Sequence, residues 1–122
     1  MKKFILVLLL SSFLLAQANP PSPRTMEEIT HLLEHLQNSG CQFNRNGNWY
    51  SGEEARTHLN KKYQYLLDKD AISSTESFIE EAGTKSSMSG RPYLVQCQPN
   101  APMESRIWFK RELDRYRQRT KK

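Results

Sequence analysis

The sequence lacks the motifs that mark the common classes of enzyme and metal site. Its two cysteines are not in a Cys-x-x-Cys arrangement, which excludes the usual redox-active pair. It has no Gly-x-Ser-x-Gly motif of the kind that presents a nucleophilic serine. There are no internal repeats and no long low-complexity tract. No motif implies a cofactor or a metal, and we therefore predict neither.

One long apolar run stands at the start of the chain. Residues 4–16 follow two lysines, and a small-x-small pattern ends at Ala18. This combination is typical of a secretory signal peptide, and the run is too short for a mature transmembrane helix. We predict a signal peptide over residues 1–18 with cleavage after Ala18, a periplasmic location, and a mature chain that is not an integral membrane protein. Residues 19–24 contain three prolines and are predicted to form a flexible, non-helical leader.

The mature chain is only mildly basic. Of the 18 basic residues, the lysines at positions 2 and 3 lie in the predicted signal peptide, so 16 basic residues face 13 acidic ones. This excess does not indicate nucleic acid, which is also a poor partner for an exported domain. The basic residues are densest in the last helix and tail, at Arg106, Lys110, Arg111, Arg115, Arg117, Arg119, Lys121 and Lys122. Such a run suits the helix dipole and would also attract an anionic envelope component.

The middle of the chain has the clearest local signals. Asn46-Gly47 is the strongest two-residue signal for a β-hairpin, because a type I′ turn needs a positive φ at both positions. Ser51 and Glu54 then have the spacing of a capping box that opens a helix. Seven residues follow on one face of that helix: Ala55, His58, Leu59, Lys62, Tyr63, Leu66 and Leu67. The pattern predicts a hairpin that leads directly into an amphipathic helix.

A first helix is predicted before the hairpin. Thr25 and Glu28 have capping-box spacing, and an apolar stripe follows them and ends before Gly40. His31 and His35 lie one turn apart on this helix, which is the spacing of two metal ligands. No third ligand is near in sequence, so we interpret both histidines as part of a solvated face.

The second half of the chain predicts three further elements. Ser73 and Glu76 form a third capping box and open a short helix. Residues 93–97 are rich in strand-favouring side chains and predict a strand. Residues 98–103 hold two prolines and predict a turn, and a last helix follows over about residues 104–119.

These elements together predict an α+β fold. Three to four helices pack on a small antiparallel sheet made of the hairpin 41–50 and the strand 93–97, with the strand order left open. We place one domain at residues 25–119 and a basic tail at residues 120–122.

Both cysteines lie in the predicted exported part. An even number of cysteines in an oxidising compartment favours a disulfide between Cys41 and Cys97. Closing so long a loop stabilises a fold by about 4 kcal/mol in the chain-entropy model. The alternative is a pair of unpaired, buried thiols.

The first candidate for chemistry is His58. It lies in the apolar stripe of the central helix, one turn from Lys62 and on the same face as Glu54. One interpretation is a histidine at the edge of the core that is hydrogen-bonded to a backbone carbonyl. The other is that His58 and Lys62 contact a ligand or transfer a proton.

The second candidate is the loop over residues 84–92 and the tyrosine that follows it. Its hydroxyls and its guanidinium could cradle a carboxylate, a phosphate or a sugar. Alternatively, the serines satisfy backbone groups in a tight connection. The ligand-binding candidates here are Ser86, Ser87, Ser89, Arg91 and Tyr93.

The third candidate is the pair Arg45 and Trp49 near the hairpin tip. An exposed aromatic ring with a basic partner suits contact with a glycan or a peptide. In so small a domain, however, we favour Trp49 as a core residue.

Four short motifs occur in a fixed order along the chain. They are Phe43-x-Arg45-Asn46-Gly47, Glu54-Ala55-x-x-His58-Leu59-x-x-Lys62, Ala71-Ile72 with Ser74-x-Glu76-x-Phe78-Ile79, and Ser86-Ser87-x-Ser89-Gly90-x-Pro92-Tyr93. Together they resemble the YfeK-like family of small exported bacterial proteins. The resemblance covers the chain from the first helix to the strand 93–97. Since that family is a domain of unknown function, the resemblance implies export and a shared fold, and it implies no activity.

We therefore favour a non-catalytic binding or accessory module of the envelope, with an anionic envelope component or an envelope protein as its partner. The alternative is a small hydrolase-like enzyme that uses His58 and the Ser86–Ser89 loop. An enzyme should bring His58, Lys62 and a loop serine within hydrogen-bond reach. A binding module should show an exposed basic or aromatic patch without that convergence. A third hypothesis is an inhibitor of a wall-degrading enzyme, with Asn46-Gly47 as a protruding tip.

Overall fold

The computed structural model describes residues 20–121, and the predicted signal peptide lies outside them. They form, in order, α1 Pro23–Asn38, β1 Gln42–Arg45, β2 Asn48–Ser51, α2 Gly52–Asp68, α3 Thr75–Ala82, β3 Leu94–Gln96, β4 Met103–Glu104 and α4 Ser105–Thr120. The predicted α+β fold class is confirmed. Between residues 20 and 121, none of these helices has the length and apolar character that a membrane span needs.

The sheet is antiparallel and has the strand order β2-β1-β3-β4. Asn46 and Gly47 have φ angles of 53° and 86°, so the predicted hairpin turn is present. Pairing of Val95 with Met103 adds β4 at one edge. The sequence predicted a turn up to residue 103 and gave no sign of β4, because a two-residue strand after a proline has no periodicity of its own.

The two faces of the sheet differ in exposure because side chains alternate along each strand. Phe43 on β1 pairs with Tyr50 on β2 and Val95 on β3, and it is 1% exposed. Trp49 lies one residue along from Tyr50, on the opposite face, and is 41% exposed. The interpretation of Trp49 as a core residue is therefore wrong.

All four helices and the inner face of the sheet share one hydrophobic core. The core residues with no measurable exposure are Ile29, Leu32, Leu36, Leu59, Phe78, Ala82 and Phe109. They come mainly from the predicted apolar stripes of the helices. The core thus fixes which faces of α2 and of the sheet meet, and the candidate site lies at that junction.

Helix α2 begins as predicted, whereas α1 begins earlier. The Ser51 Oγ accepts a hydrogen bond from the Glu54 N–H at 3.1 Å. Helix α1 starts at Pro23 and is capped by Ser22, whose Oγ accepts from the Thr25 N–H at 3.1 Å. The predicted Thr25 cap is wrong, because a proline at the first helical position removes only an N–H that would have no helical partner.

Helix α3 is capped by Ser74 and Ser77, and the predicted pair Ser73 and Glu76 is wrong. The Ser74 Oγ accepts from the Ser77 N–H at 3.0 Å, and the Ser77 Oγ accepts from the Ser74 N–H at 3.1 Å. The capping box is therefore displaced by one residue along the same serine-rich stretch.

The two histidines of α1 face α4. His35 Nδ1 lies 3.2 Å from Oε2 of the buried Glu112, and the His31 ring stacks on Tyr116 with 4.0 Å between ring centroids. Both histidines are half-buried. The interpretation of these residues as a solvated face is wrong, because α4 covers this side of α1. Among residues 20–121, no group of three or more His, Cys, Asp or Glu side chains is arranged to hold a metal ion.

Part of the basic helix α4 is used inside the fold. The Arg117 guanidinium donates to both carboxylate oxygens of Glu28, at 2.8 and 3.1 Å, and also to Glu76. Glu28 is 3% exposed and accepts a further hydrogen bond from the Thr75 hydroxyl at 2.6 Å. The hydrogen bonds from Arg117 lower the pKa of Glu28 and of Glu76 against the effect of burial. This network joins α1, α3 and α4.

The predicted pairing of the cysteines is confirmed as a disulfide-distance pair. The Sγ atoms of Cys41 and Cys97 lie 1.98 Å apart, across a separation of 56 residues. The bond joins the residue before β1 to the residue after β3. It therefore closes one end of the central strand pair, while the candidate site lies at the other end.

Candidate functional site

Four of the predicted site residues meet between α2 and the sheet. Arg45 ends β1 and lies on the same face of that strand as Phe43. His58 and Lys62 project from successive turns of α2, and Tyr93 immediately precedes β3. We call Arg45, His58 and Lys62 the donor face, because the guanidinium and the ammonium group carry hydrogen-bond donors and His58 lies beside both.

Tyr93 lies beneath this donor face and connects its members. Its phenolic oxygen lies 3.2 Å from His58 Nε2 and 3.1 Å from Lys62 Nζ. Arg45 Nη1 lies 3.2 Å from His58 Nδ1. Tyr93 is 1% exposed, whereas the other three side chains are half-buried. Tyr93 therefore positions the donor face and does not itself reach the surface.

The contact with Arg45 selects one tautomer of His58. A guanidinium has donors only, so His58 Nδ1 must accept the hydrogen bond from Arg45. In the neutral imidazole the proton then lies on Nε2, which donates to the Tyr93 oxygen. The same oxygen accepts from Lys62. His58 Nδ1 and the Tyr93 oxygen therefore already accept hydrogen bonds from residues within the cluster.

The electrostatics of the cluster keep His58 neutral at pH 7. Burial lowers the pKa of His58 below its ordinary value of 6.5, and the positive charges of Arg45, Lys62 and Lys61 lower it further. Burial also lowers the pKa of Lys62, as does Arg45, while Glu81 opposes this. Each shift shows that the site disfavours additional positive charge.

The cations of the donor face have no carboxylate partner. Within residues 20–121, no Asp or Glu oxygen lies within 4.0 Å of the charged nitrogens of Arg45 or Lys62. On α4, by contrast, four arginines each have a carboxylate within that distance: Arg106, Arg115, Arg117 and Arg119. The uncompensated positive charge therefore includes the donor face and is not confined to the basic tail.

Two of the candidate serines tie the loop over residues 84–92 to the hairpin. Asn46 Nδ2 donates to the Ser86 Oγ at 3.3 Å, and the Ser89 hydroxyl donates to Asn46 Oδ1 at 2.5 Å. Ser86 is buried, and its Oγ also accepts from the Ser89 N–H. Both serines have a structural part in the loop, and the Asn46 tip is braced against the loop and does not protrude freely.

The two remaining candidates of the loop are exposed. Ser87 lies beside Lys62 in a shallow cavity of about 400 Å³ that Lys61, Tyr65, Leu66 and Glu81 also line. The Arg91 guanidinium lies near Gly47, where an added Cβ would meet Arg91 Nη1 at 3.7 Å. Ser87 is thus the loop serine best placed to extend the donor face.

A second, smaller cavity adjoins the donor face on the hairpin side. It has a volume of about 140 Å³ and is lined by Phe43, Arg45, Tyr50, Glu54, Ala55 and His58. The Arg45 guanidinium lies over the Tyr50 ring, 5.1 Å from its centroid. Neither Tyr50 nor Asn46 was predicted to belong to the site, although the hairpin register that pairs Tyr50 with Phe43 places Tyr50 on this face.

The geometry does not provide the serine that a hydrolase would need. In the described part of the chain, the hydrogen bonds of His58 run to Arg45 and Tyr93, and none joins it to Ser86, Ser87 or Ser89. The buried Ser86 is hydrogen-bonded within the loop and hairpin. A basic patch of the kind expected of a binding module is present, whereas the convergence of His58 with a loop serine expected of an enzyme is not found in the described residues.

The comparison with known families decides where the chain belongs. The sequence pattern of DUF5329, a family of unknown function, matches residues 23–117, from the first residue of α1 into α4. The chain belongs to DUF5329. No curated protein and no solved structure matches the chain. The DUF5329 match therefore includes the whole donor face and assigns it no activity.

Proposed function

We propose that this DUF5329 domain is a non-catalytic binding module of the cell envelope, exported to the periplasm, whose donor face captures an anionic group. One observation carries the proposal. Arg45 and Lys62 carry donors in one cluster with His58 and Tyr93, and no carboxylate oxygen within residues 20–121 lies within 4.0 Å of either cation.

The chemistry of the face matches a carboxylate or a phosphate. Charge-assisted hydrogen bonds from guanidinium and ammonium groups to such oxygens are roughly twice as strong as neutral ones. The half-buried setting strengthens them further, because screening by water is reduced. A bound anion would also offset the positive charge of Arg45, which adds to burial in lowering the pKa values of His58 and Lys62.

Export is the part of this proposal that rests on the sequence. The pattern over residues 1–18 supports it, and the disulfide-distance pair Cys41 and Cys97 is compatible with an oxidising compartment. Protein recovered from the periplasm should begin at Asn19 when its N-terminus is sequenced. Recovery of a chain that keeps residues 1–18, from the cytoplasm alone, would overturn this part of the proposal.

The binding role is tested with charge-matched variants in an envelope extract. Immobilised wild-type protein is compared with the double variant Arg45→Gln/Lys62→Gln and with the control Arg106→Gln/Lys110→Gln on α4. Both variants remove two positive charges. We expect an anionic component that the wild type and the control retain and the donor-face variant loses. Equal retention by all three proteins, or equal loss from both variants, would contradict a role for the donor face.

A further inference from the structure

A separate cavity lies at the end of β1 opposite Arg45. It has a volume of about 590 Å³, within the range of about 300–1,000 Å³ that is usual for small-molecule sites. The Cys41–Cys97 disulfide, Val95, Met103 and Trp108 line its apolar part. It shares no lining residue with the cavities at the donor face.

The aromatic wall of this cavity is held in place from behind. The Trp108 ring stacks on His35 with 4.8 Å between centroids and meets Phe109 edge to face at 5.1 Å. His35 is in turn fixed by Glu112, whose Oε2 lies 3.2 Å from His35 Nδ1. Trp108 is 8% exposed and lines the cavity, so a small part of a supported side chain faces it. This arrangement makes the wall preformed.

The rim of the cavity carries two arginines one turn apart on α4. Within residues 20–121, Arg111 has no carboxylate within 4.0 Å of its guanidinium. Arg115 has a partner in Glu112, at 3.6 Å. Asp114 is the one acidic residue of the lining. Arg111 is therefore the group on this rim with free capacity for an anion.

We propose that this cavity binds a small organic anion. The apolar body of the ligand packs against Trp108, Met103 and the disulfide, and its carboxylate or sulfonate meets Arg111, with Arg115 beside it. An apolar cavity with one convergent charged group is the usual composition of a small-molecule site. The site is independent of the donor face, because the two share no residue.

The test uses a fluorescent pair of probes that differ in charge. Anilinonaphthalene sulfonate has an aromatic body and a sulfonate, and N-phenyl-1-naphthylamine is its uncharged counterpart. The chain has two tryptophans, so Trp49→Phe leaves Trp108 as the single donor for energy transfer to a bound probe. In this background we expect saturable binding at one site, with energy transfer from Trp108.

Matched variants on the same helix assign the anionic contact. Arg111→Ala should weaken binding of the sulfonate by about tenfold, the loss of one charge-assisted contact, and leave the uncharged probe unaffected. Lys110→Ala removes the same charge one residue away, outside the lining, and should leave both probes unaffected. Absence of energy transfer from Trp108, binding at many sites, or equal weakening by Lys110→Ala would overturn the proposal. Unchanged thermal unfolding confirms that each variant is folded.

Two further measurements identify the source of the ligand and distinguish this cavity from the donor face. Displacement of the sulfonate probe by octanoate would support a free organic anion, and displacement by phosphatidylglycerol vesicles alone would support a lipid. Displacement by neither would overturn the proposed ligand class. The donor-face variant Arg45→Gln/Lys62→Gln should bind the probe as the wild type does, so either site can fail without the other.

Discussion

The ammonium group of Lys62 lies 3.1 Å from the phenolic oxygen of Tyr93. This contact joins the middle of α2 to the start of β3 at a point where the tyrosine ring already packs on Phe43, with 4.8 Å between ring centroids. The core thus sets the position of a polar atom on which two functional candidates depend. Arg45 then reaches the same cluster through His58.

Removal of this one oxygen should destabilise the domain. Tyr93→Phe keeps the ring packing, and we expect a loss of about 1–2 kcal/mol in the free energy of unfolding, since His58 and Lys62 both lose a partner. Urea unfolding followed by circular dichroism measures it. Tyr65→Phe is the control. Because Tyr65 is 62% exposed, loss of its hydroxyl should change the free energy of unfolding by less than about 0.5 kcal/mol. Equal effects of the two substitutions would contradict a central role for the Tyr93 hydroxyl.

His58 makes stability depend on pH near neutrality. Its pKa in the fold is lowered below the ordinary 6.5, chiefly by burial, so the unfolded chain binds the proton first as the pH falls. Stability is therefore greatest above about pH 6.5 and declines as the pH falls below it. Urea unfolding at pH 7.5 and 5.5 should show this decline. His35, whose pKa burial also lowers, contributes with the same sign.

A variant separates the two histidines. His58→Gln should retain the part of the decline that belongs to His35 and lose the rest. The same dependence on pH in wild type and His58→Gln would show that His58 does not titrate differently in the folded and unfolded states.

The sequence predicted which residues share a face at the candidate site better than it predicted the hydrogen bonds that join them. Strand alternation puts Arg45 on the same face of β1 as Phe43, and helical spacing placed His58 beside Lys62. These are local relations, which the period of a strand or a helix determines. The link through Tyr93 joins residues 31 and 35 positions apart in the chain, and no local pattern reports such a contact.

The serines of the loop should differ sharply in their effect on stability. Ser86→Ala removes a buried hydroxyl that accepts from Asn46 and from the Ser89 N–H, and we expect a loss of about 1–3 kcal/mol. Ser87→Ala, at an exposed position two residues from Ser89, should be nearly neutral. Thermal unfolding of both variants checks this. A larger loss of stability in Ser87→Ala than in Ser86→Ala would contradict the role of Ser86 in holding the loop against the hairpin.

Arg117 should matter more than its neighbours on the basic helix. Arg117→Ala leaves the buried Glu28 without its bidentate partner, and because Arg117 is itself 37% exposed we expect a loss of about 1–3 kcal/mol. Arg119→Ala is the control, since Arg119 lies 3.9 Å from Glu112 and is 60% exposed. Urea unfolding at pH 7 should separate the two variants by several-fold. Similar losses of stability in both variants would mean that Arg117 contributes only its positive charge and makes no specific contribution through Glu28.

The decline of stability at acid pH provides a second test of the role of Arg117. The lowered pKa of Glu28 means that its stabilising contribution is complete above its ordinary pKa of 4.5 and is lost as the pH falls below that value. In Arg117→Ala this loss should be smaller, because the main cause of the lowered pKa is gone.

The disulfide should hold a large share of the stability of so small a domain. Across a separation of 56 residues, the chain-entropy model gives about 4 kcal/mol. We expect Cys41→Ala/Cys97→Ala to lower the free energy of unfolding by up to that amount. The intact protein should be lighter than its reduced form by about 2 Da, the mass of two hydrogens. Free thiols in the purified exported protein would contradict the pairing.

Burial of polar groups was the feature least accessible from the sequence. His31 and His35 are half-buried because α4 packs across α1, and the two helices are far apart in the chain. Trp49 is exposed because it lies on the face of β2 opposite Tyr50, away from the core residue Phe43. The basic residues of α4 resembled a free cationic surface, whereas Arg117 is tied to Glu28. In each case tertiary packing decided what residue type and local period could not.

The most direct test of the donor face is the pKa of His58 measured by proton NMR in sodium sulfate and in sodium chloride of equal ionic strength. Sulfate does not titrate in this range and mimics the proposed anion. We predict that sulfate raises the pKa of His58, and less so in Lys62→Gln. His35, which lies beside Glu112 and away from the donor face, serves as the internal control and should be unchanged. The same His58 pKa in both salts, or an equal rise at His35, would contradict anion binding at Arg45, His58 and Lys62.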